Sequence, residues 1–157
     1  MDKYILLNLM IISMAAGFIL GEIAVIPYVG TFALILMLFI PAPISILLLI
    51  MLGKMDLTNV KDSIIQGLFA GFFANLTFSI GYCITTALIY GIWKYTTNYL
   101  LTAMIINSSV WLILAVIIFI GTLTAVTNAF SNFGLYYIIN FIRDSYEKKY
   151  FEQHEKE

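Results

Sequence analysis

The chain has 157 residues, of which 62% are hydrophobic and 11% are charged, and its formal net charge is -1. Soluble domains are nearer ~45–50% hydrophobic and ~25% charged, so this excess of apolar side chains predicts an all-α integral membrane protein. The charge balance provides no basic surface for nucleic acid, and the single Cys83 and single His154 provide neither an internal disulfide nor a metal site.

The charged residues divide the chain into apolar windows that predict a bundle of four transmembrane helices. A helix needs about 20 residues to cross a hydrocarbon core of ~30 Å. The predicted spans are residues 4–26, 31–52, 64–92 and 99–125, all within a transmembrane bundle of residues 1–134.

The first predicted span contains Glu22, the only charged residue between positions 4 and 53. At 1.5 Å per residue, Glu22 lies ~27 Å from Tyr4, which favours a carboxylate at the outer edge of the hydrocarbon core. The alternative is that Glu22 faces the bundle and handles a proton or a cation. In that case the helix face that it shares with Asn8 and Ala15 packs against protein.

Small residues recur along one side of the first and third predicted spans. Small side chains let helix backbones approach closely, so the pattern predicts helix-packing seams. A substrate path along the small face is the alternative. The residues concerned are Ser13, Gly17 and Gly21 in the first span, and Gly67, Gly71 and Ala74 in the third.

The second predicted span contains Pro41 and Pro43 near its midpoint. Each proline removes a backbone donor, and a kink is the usual result in a transmembrane helix. The alternative is a broken helix whose freed carbonyl groups line a site for an ion or a solute.

A few uncharged polar residues fall inside the later spans. Asn75 lies in the third span, and Asn107 and Ser108 lie in the fourth. Together with Glu22 they form a candidate intramembrane polar site. The alternative is that they make hydrogen bonds between helices and contribute only to packing.

The last apolar window ends in a polar stretch, residues 122–134, which predicts a break in the helix. Residues 135–157 then form an amphipathic and charged helix at the cytoplasmic surface, or a fifth crossing. Basic residues favour the cytoplasmic side, and four spans leave only Lys94 outside, whereas five spans divide the basic residues five to three. The four-span arrangement therefore predicts that both termini are cytoplasmic.

The predicted spans contain no His, Asp, Lys or Arg, so we expect neither enzymatic activity nor a cofactor. We expect an accessory or packing subunit of a homo-oligomer or larger complex in the cell membrane. Its partners are the lipid bilayer and other membrane subunits or itself, with no identifiable small-molecule ligand and no nucleic acid. The alternative is a small transporter or channel component for an ion or small solute, which requires a cavity that reaches Glu22 or Asn75.

Overall fold

A computed structural model describes residues 3–56, 59–94 and 107–154, with side chains described as far as residue 148. Within these ranges the chain is helical and contains no strand, as predicted. The helices are α1 (Lys3–Ile23), α2 (Val29–Phe39), α3 (Pro41–Met51), α4 (Val60–Trp93) and α5 (Val110–His154). In this part of the chain, α1, α4 and α5 are long and apolar enough to cross a membrane, and α2 with α3 makes a fourth candidate if the bent pair is one span.

The central helix is α4, which packs against α1 and α5. Gly17 of α1 lies against Ala74 of α4, and one turn further along both helices Gly21 lies against Phe78. The two helices therefore run in the same direction. Because α1 and α4 are parallel, the chain has to return to its starting end between them, and the α2–α3 pair makes this return.

The direction of α5 is opposite to that of α4. In the first turn of α4, the Ser63 hydroxyl donates to the Asn132 carbonyl at 3.0 Å, and the Asn132 amide donates to the Ser63 carbonyl at 2.7 Å. Further along α4, the Asn75 amide donates to the carbonyl of Ile117, which comes earlier in α5, at 3.1 Å. The directions of α1, the α2–α3 pair, α4 and α5 thus alternate.

The hydrophobic core lies where α3 packs against α1 and α4, and side chains of α5 pack against this core. A second, smaller cluster lies beside α2. The buried residues of the first cluster are Leu9, Ala42, Ile46, Leu49, Met55 and Ala70, and those of the second are Met37, Ala74 and Phe78.

Apart from Leu9, the buried face of α1 consists of small residues. Ser13, Gly17 and Gly21 are buried, whereas Ala15 and Glu22 are exposed. A Cβ atom on Gly17 would overlap the backbone of Ala74, so the glycine is what allows the helices this close. On the face that Glu22 shares with Asn8 and Ala15, only Asn8 is half-buried, so Glu22 does not face the bundle of this chain, contrary to the bundle-facing alternative.

The small residues of α4 lie on two seams rather than on one. A Cβ atom on Gly67 or Gly71 would come within 2.7 Å of backbone atoms of α5, at Ala129 and Thr124 respectively. Ala74, in contrast, is buried against α1. A central helix needs a small surface towards each neighbour, which explains why the pattern covers so much of α4.

The expected break at residues 122–134 is absent, because α5 continues through this stretch to His154 as one helix. Its hydroxyl side chains leave the helix intact because Thr122 and Ser131 donate to carbonyl groups four residues earlier. The helix also starts later than the predicted fourth span, at Val110, and residues 99–106 of that span lie outside the described part of the chain. With 45 residues, α5 is ~67 Å long.

Candidate functional site

The chain bends by 63° between α2 and α3. Pro41 and Pro43 lack a backbone N–H, so the carbonyl groups of Met37 and Phe39 cannot receive the hydrogen bonds of a continuous helix. Pro41 occupies the start of α3, where a missing donor is tolerated. The two prolines thus end one helix and start the next.

Asn128 of α5 fills the gap that the bend creates. In an unbroken helix the Ala42 N–H would donate to the Leu38 carbonyl. Here the Ala42 N–H donates to Asn128 Oδ1 at 3.0 Å, and Asn128 Nδ2 donates to the Leu38 carbonyl at 2.9 Å. The carboxamide is therefore inserted into a backbone hydrogen bond, and the Asn128 side chain is fully buried.

Two carbonyl groups of α2 near the bend, those of Met37 and Leu38, receive further donors from α5. Asn128 Nδ2 lies 3.2 Å from the Met37 carbonyl oxygen, and the Thr127 hydroxyl donates to the Leu38 carbonyl at 2.6 Å. The carbonyl groups of Met37 and Leu38 are thus occupied by side chains of α5. These two carbonyl groups are therefore not free to bind an ion or a solute, as the broken-helix alternative proposed.

A cavity of about 410 Å³ lies beside the bend. Its wall consists of the turn between α1 and α2, one side of α2, the second half of α4 and the first half of α5. Most of the wall is apolar, with Phe78, Ile113 and Val116 among its side chains. The cavity is therefore suited to a largely apolar molecule.

The polar groups of the cavity wall are uncharged. Asn75, Ser79 and Thr124 lie in the part of the wall formed by α4 and α5, and none of the described wall residues is Asp, Glu, Lys, Arg or His. The Asn75 amide donates to the Ile117 carbonyl, and the Ser79 hydroxyl donates to the Asn75 carbonyl at 3.0 Å. The Thr124 hydroxyl is buried and has no hydrogen-bond partner.

The structure separates the residues of the candidate polar site. Asn75 lies in the cavity wall, but Glu22 is exposed on α1 and is not part of the wall. Asn107 and Ser108 precede Val110, the first residue of α5, and neither is part of the cavity wall. Only one of these four residues therefore reaches the cavity.

Sequence reasoning missed the polar residues of α5 that matter most here. Thr124, Asn128 and Asn132 are spaced four residues apart and are fully buried. They lie in the stretch that was interpreted as a break. Their spacing was the available signal, since residues four apart share one face of a helix.

Among the described residues, no group of three or more His, Cys, Asp or Glu side chains could hold a metal ion. Comparisons with protein-family models, with curated proteins and with solved structures find no match to this chain.

Proposed function

We propose that the chain is a non-enzymatic, multi-pass protein of the cell membrane that binds a small uncharged solute within its helix bundle, as a component of a small transporter or channel. The observation that carries the proposal is the cavity of about 410 Å³ that reaches Asn75. Ligand sites typically have volumes of ~300–1,000 Å³ and mostly apolar walls with a few polar groups. A role limited to packing would require no such space.

The solute is uncharged because the described wall of the cavity offers no opposite charge. An ion in apolar surroundings without a partner is strongly unfavourable. Glu22, the carboxylate that an ion pathway would have used, is exposed and lies outside the wall. This favours a small solute over an ion.

In this proposal the chain crosses the membrane four times, and both termini are cytoplasmic. The parallel course of α1 and α4 supports counting the α2–α3 pair as a crossing, because that pair carries the chain back between them. The excess of Lys and Arg at one end of the bundle supports the orientation.

The proposal can be tested with ligand-induced stabilisation of the purified chain in detergent, since a ligand that binds only the folded state raises the unfolding midpoint. The screen compares small uncharged solutes with charged analogues of similar size. Ile113→Trp fills the cavity, whereas Ile118→Trp adds the same ring on a surface that is 55% exposed.

We expect uncharged solutes to raise the midpoint of the unmodified chain and of Ile118→Trp, but not that of Ile113→Trp. If no uncharged solute raises the midpoint, or if Ile113→Trp responds like the control, the cavity is not a solute site.

The second candidate function is an accessory subunit, and the surface of α5 favours it. The most hydrophobic candidate span, Val110–Lys148, has only 17% of its apolar window buried. Trp111 and Phe119 on this helix are 81% and 72% exposed. Such a surface suits either lipid or another membrane subunit.

Cross-linking in native membranes separates these two environments for α5. In a Cys83→Ser background, Phe119→Cys places one thiol on the exposed face of α5. A subunit role predicts a discrete cross-linked product with a bifunctional maleimide. A chain surrounded by lipid should stay monomeric.

A further inference from the structure

Thr124 differs from the other hydroxyl residues of α5. The other serine and threonine side chains described in this helix each donate to the carbonyl group four residues earlier, which is the usual way to satisfy a hydroxyl in an apolar helix. The Thr124 hydroxyl makes no such bond, although the residue is fully buried and lies in the cavity wall. The residues that do make the bond are Thr122, Thr127, Ser131 and Ser145.

Thr124 belongs to the part of the cavity wall that is nearest the α2–α3 bend. The Asn128 amide donates to the backbone carbonyl groups of both Thr124 and Met37, and both residues line the cavity. At the other end, towards the α1–α2 turn, Tyr28 is 92% exposed. The cavity thus has a buried polar group at one end and access to the surroundings at the other.

Thr124 is also distinct from the neighbouring polar groups in the wall. The Asn75 amide and the Ser79 hydroxyl already donate to backbone carbonyl groups. A buried hydroxyl without a partner is unfavourable, and it can both donate and accept a hydrogen bond. The hydroxyl has almost no accessible surface in this conformation, so a ligand oxygen reaches it after a small shift of the wall and then removes the deficit.

We propose that the cavity selects an uncharged molecule with an apolar body and a single hydroxyl or carbonyl oxygen, which forms a hydrogen bond with the Thr124 hydroxyl. The apolar body lies against Phe78, Ile113 and Val116, and the oxygen points towards the bend. This inference rests on the proposed function and adds the chemical class of the solute.

Cys83 provides a reporter for the test because it is the only cysteine of the chain and lies in the cavity wall. The full chain in lipid nanodiscs is treated with N-ethylmaleimide, and the rate of Cys83 modification is followed by intact mass. The probes are 1-naphthol and naphthalene, which share an apolar ring system and differ by one hydroxyl group. Thr124→Val removes the side-chain hydroxyl at nearly constant shape, and Thr122→Val is the matched control on the exposed side of the same helix.

We expect both probes to slow the modification of Cys83. In the unmodified chain and in Thr122→Val, 1-naphthol should act at a concentration about threefold to tenfold lower than naphthalene, as one hydrogen bond would give. In Thr124→Val this preference should disappear, and in Thr124→Ser it should be retained. If Thr124→Val does not fold, Thr124→Ala replaces it, and an unchanged preference in the folded Ala variant would also overturn the inference.

Two negative results have different meanings. If 1-naphthol and naphthalene protect Cys83 equally in the unmodified chain, or if Thr124→Val keeps the preference, the hydroxyl of Thr124 does not select the ligand and only this inference fails. If neither probe protects Cys83 in any variant, the cavity does not take up small apolar solutes, and the proposed function fails with it.

Discussion

Asn128 accepts the backbone N–H of Ala42 at 3.0 Å, across 86 positions of sequence, and so completes the hydrogen bonding of a helix to which it does not belong. The same carboxamide donates to the carbonyl group of Leu38. A helix broken in an apolar bundle needs partners of this kind, because no water is present to satisfy its free backbone groups. The α2–α3 pair and α5 therefore depend on each other for their conformation.

This dependence predicts a large loss of stability in Asn128→Leu. The substitution keeps the approximate volume but removes the buried partner of the Ala42 N–H and of the Met37 carbonyl group, while the Leu38 carbonyl group keeps its bond from Thr127. We expect the free energy of unfolding to fall by about 2–4 kcal/mol, since each buried unsatisfied group costs ~1–3 kcal/mol. Denaturant unfolding in detergent measures the change.

The matched control is Asn140→Leu. Asn140 lies on the same helix, and its amide donates only to the carbonyl group of Tyr136 within that helix. We expect a loss of less than about 1 kcal/mol. Equal losses in Asn128→Leu and Asn140→Leu would mean that the inserted carboxamide does not support the bend.

The contact between α1 and α4 predicts that Gly17 tolerates no larger side chain. A Cβ atom there would overlap the Ala74 carbonyl group, so Gly17→Ala should push the two helices apart. We expect a loss of ~1–3 kcal/mol, typical of overpacking, in the same unfolding assay. Gly91→Ala on α4 is the control, because a Cβ atom there meets no atom within 4 Å. That variant should be neutral or slightly more stable, since Ala favours helix more than Gly.

Composition and periodicity were sufficient for the helical class and for the approximate positions of α1 and α4. The bend could also be predicted, because a missing backbone donor at Pro41 is a local property of the sequence. These features depend on residues that are close together along the chain.

The course of α5 could not be predicted in the same way. Thr127 and Asn128 are polar residues in a stretch that would otherwise be predicted to span the membrane. Their hydrogen-bond partners, Leu38 and Ala42, are remote in sequence. A polar stretch in an apolar window indicates a break only if its side chains need water. The cavity is harder still, because it is the space left between α2, α4 and α5 and no single segment encodes it.

Glu22 provides a prediction of no effect. Its side chain is exposed on α1 and lies outside the cavity wall, so Glu22→Gln removes a charge without changing a buried contact. We expect an unchanged unfolding midpoint in detergent and unchanged protection of Cys83 by 1-naphthol. A loss of protection in this variant would show that the carboxylate acts at the solute site, and it would restore the ion pathway as the better hypothesis.

The last prediction concerns orientation, and it uses the two turns at opposite ends of the bundle. Tyr28, in the α1–α2 turn, and Asp56, in the α3–α4 connection, are 92% and 75% exposed. Asp56 lies 3.6 Å from Arg143, at the end of α5 where basic residues accumulate, so this end should be cytoplasmic. In a Cys83→Ser background, Tyr28→Cys should react in intact cells with a thiol reagent that does not cross membranes. Asp56→Cys should react only after the membrane is permeabilised. The reverse pattern would place both termini outside, and labelling of both positions in intact cells would mean that the α2–α3 pair does not cross the membrane.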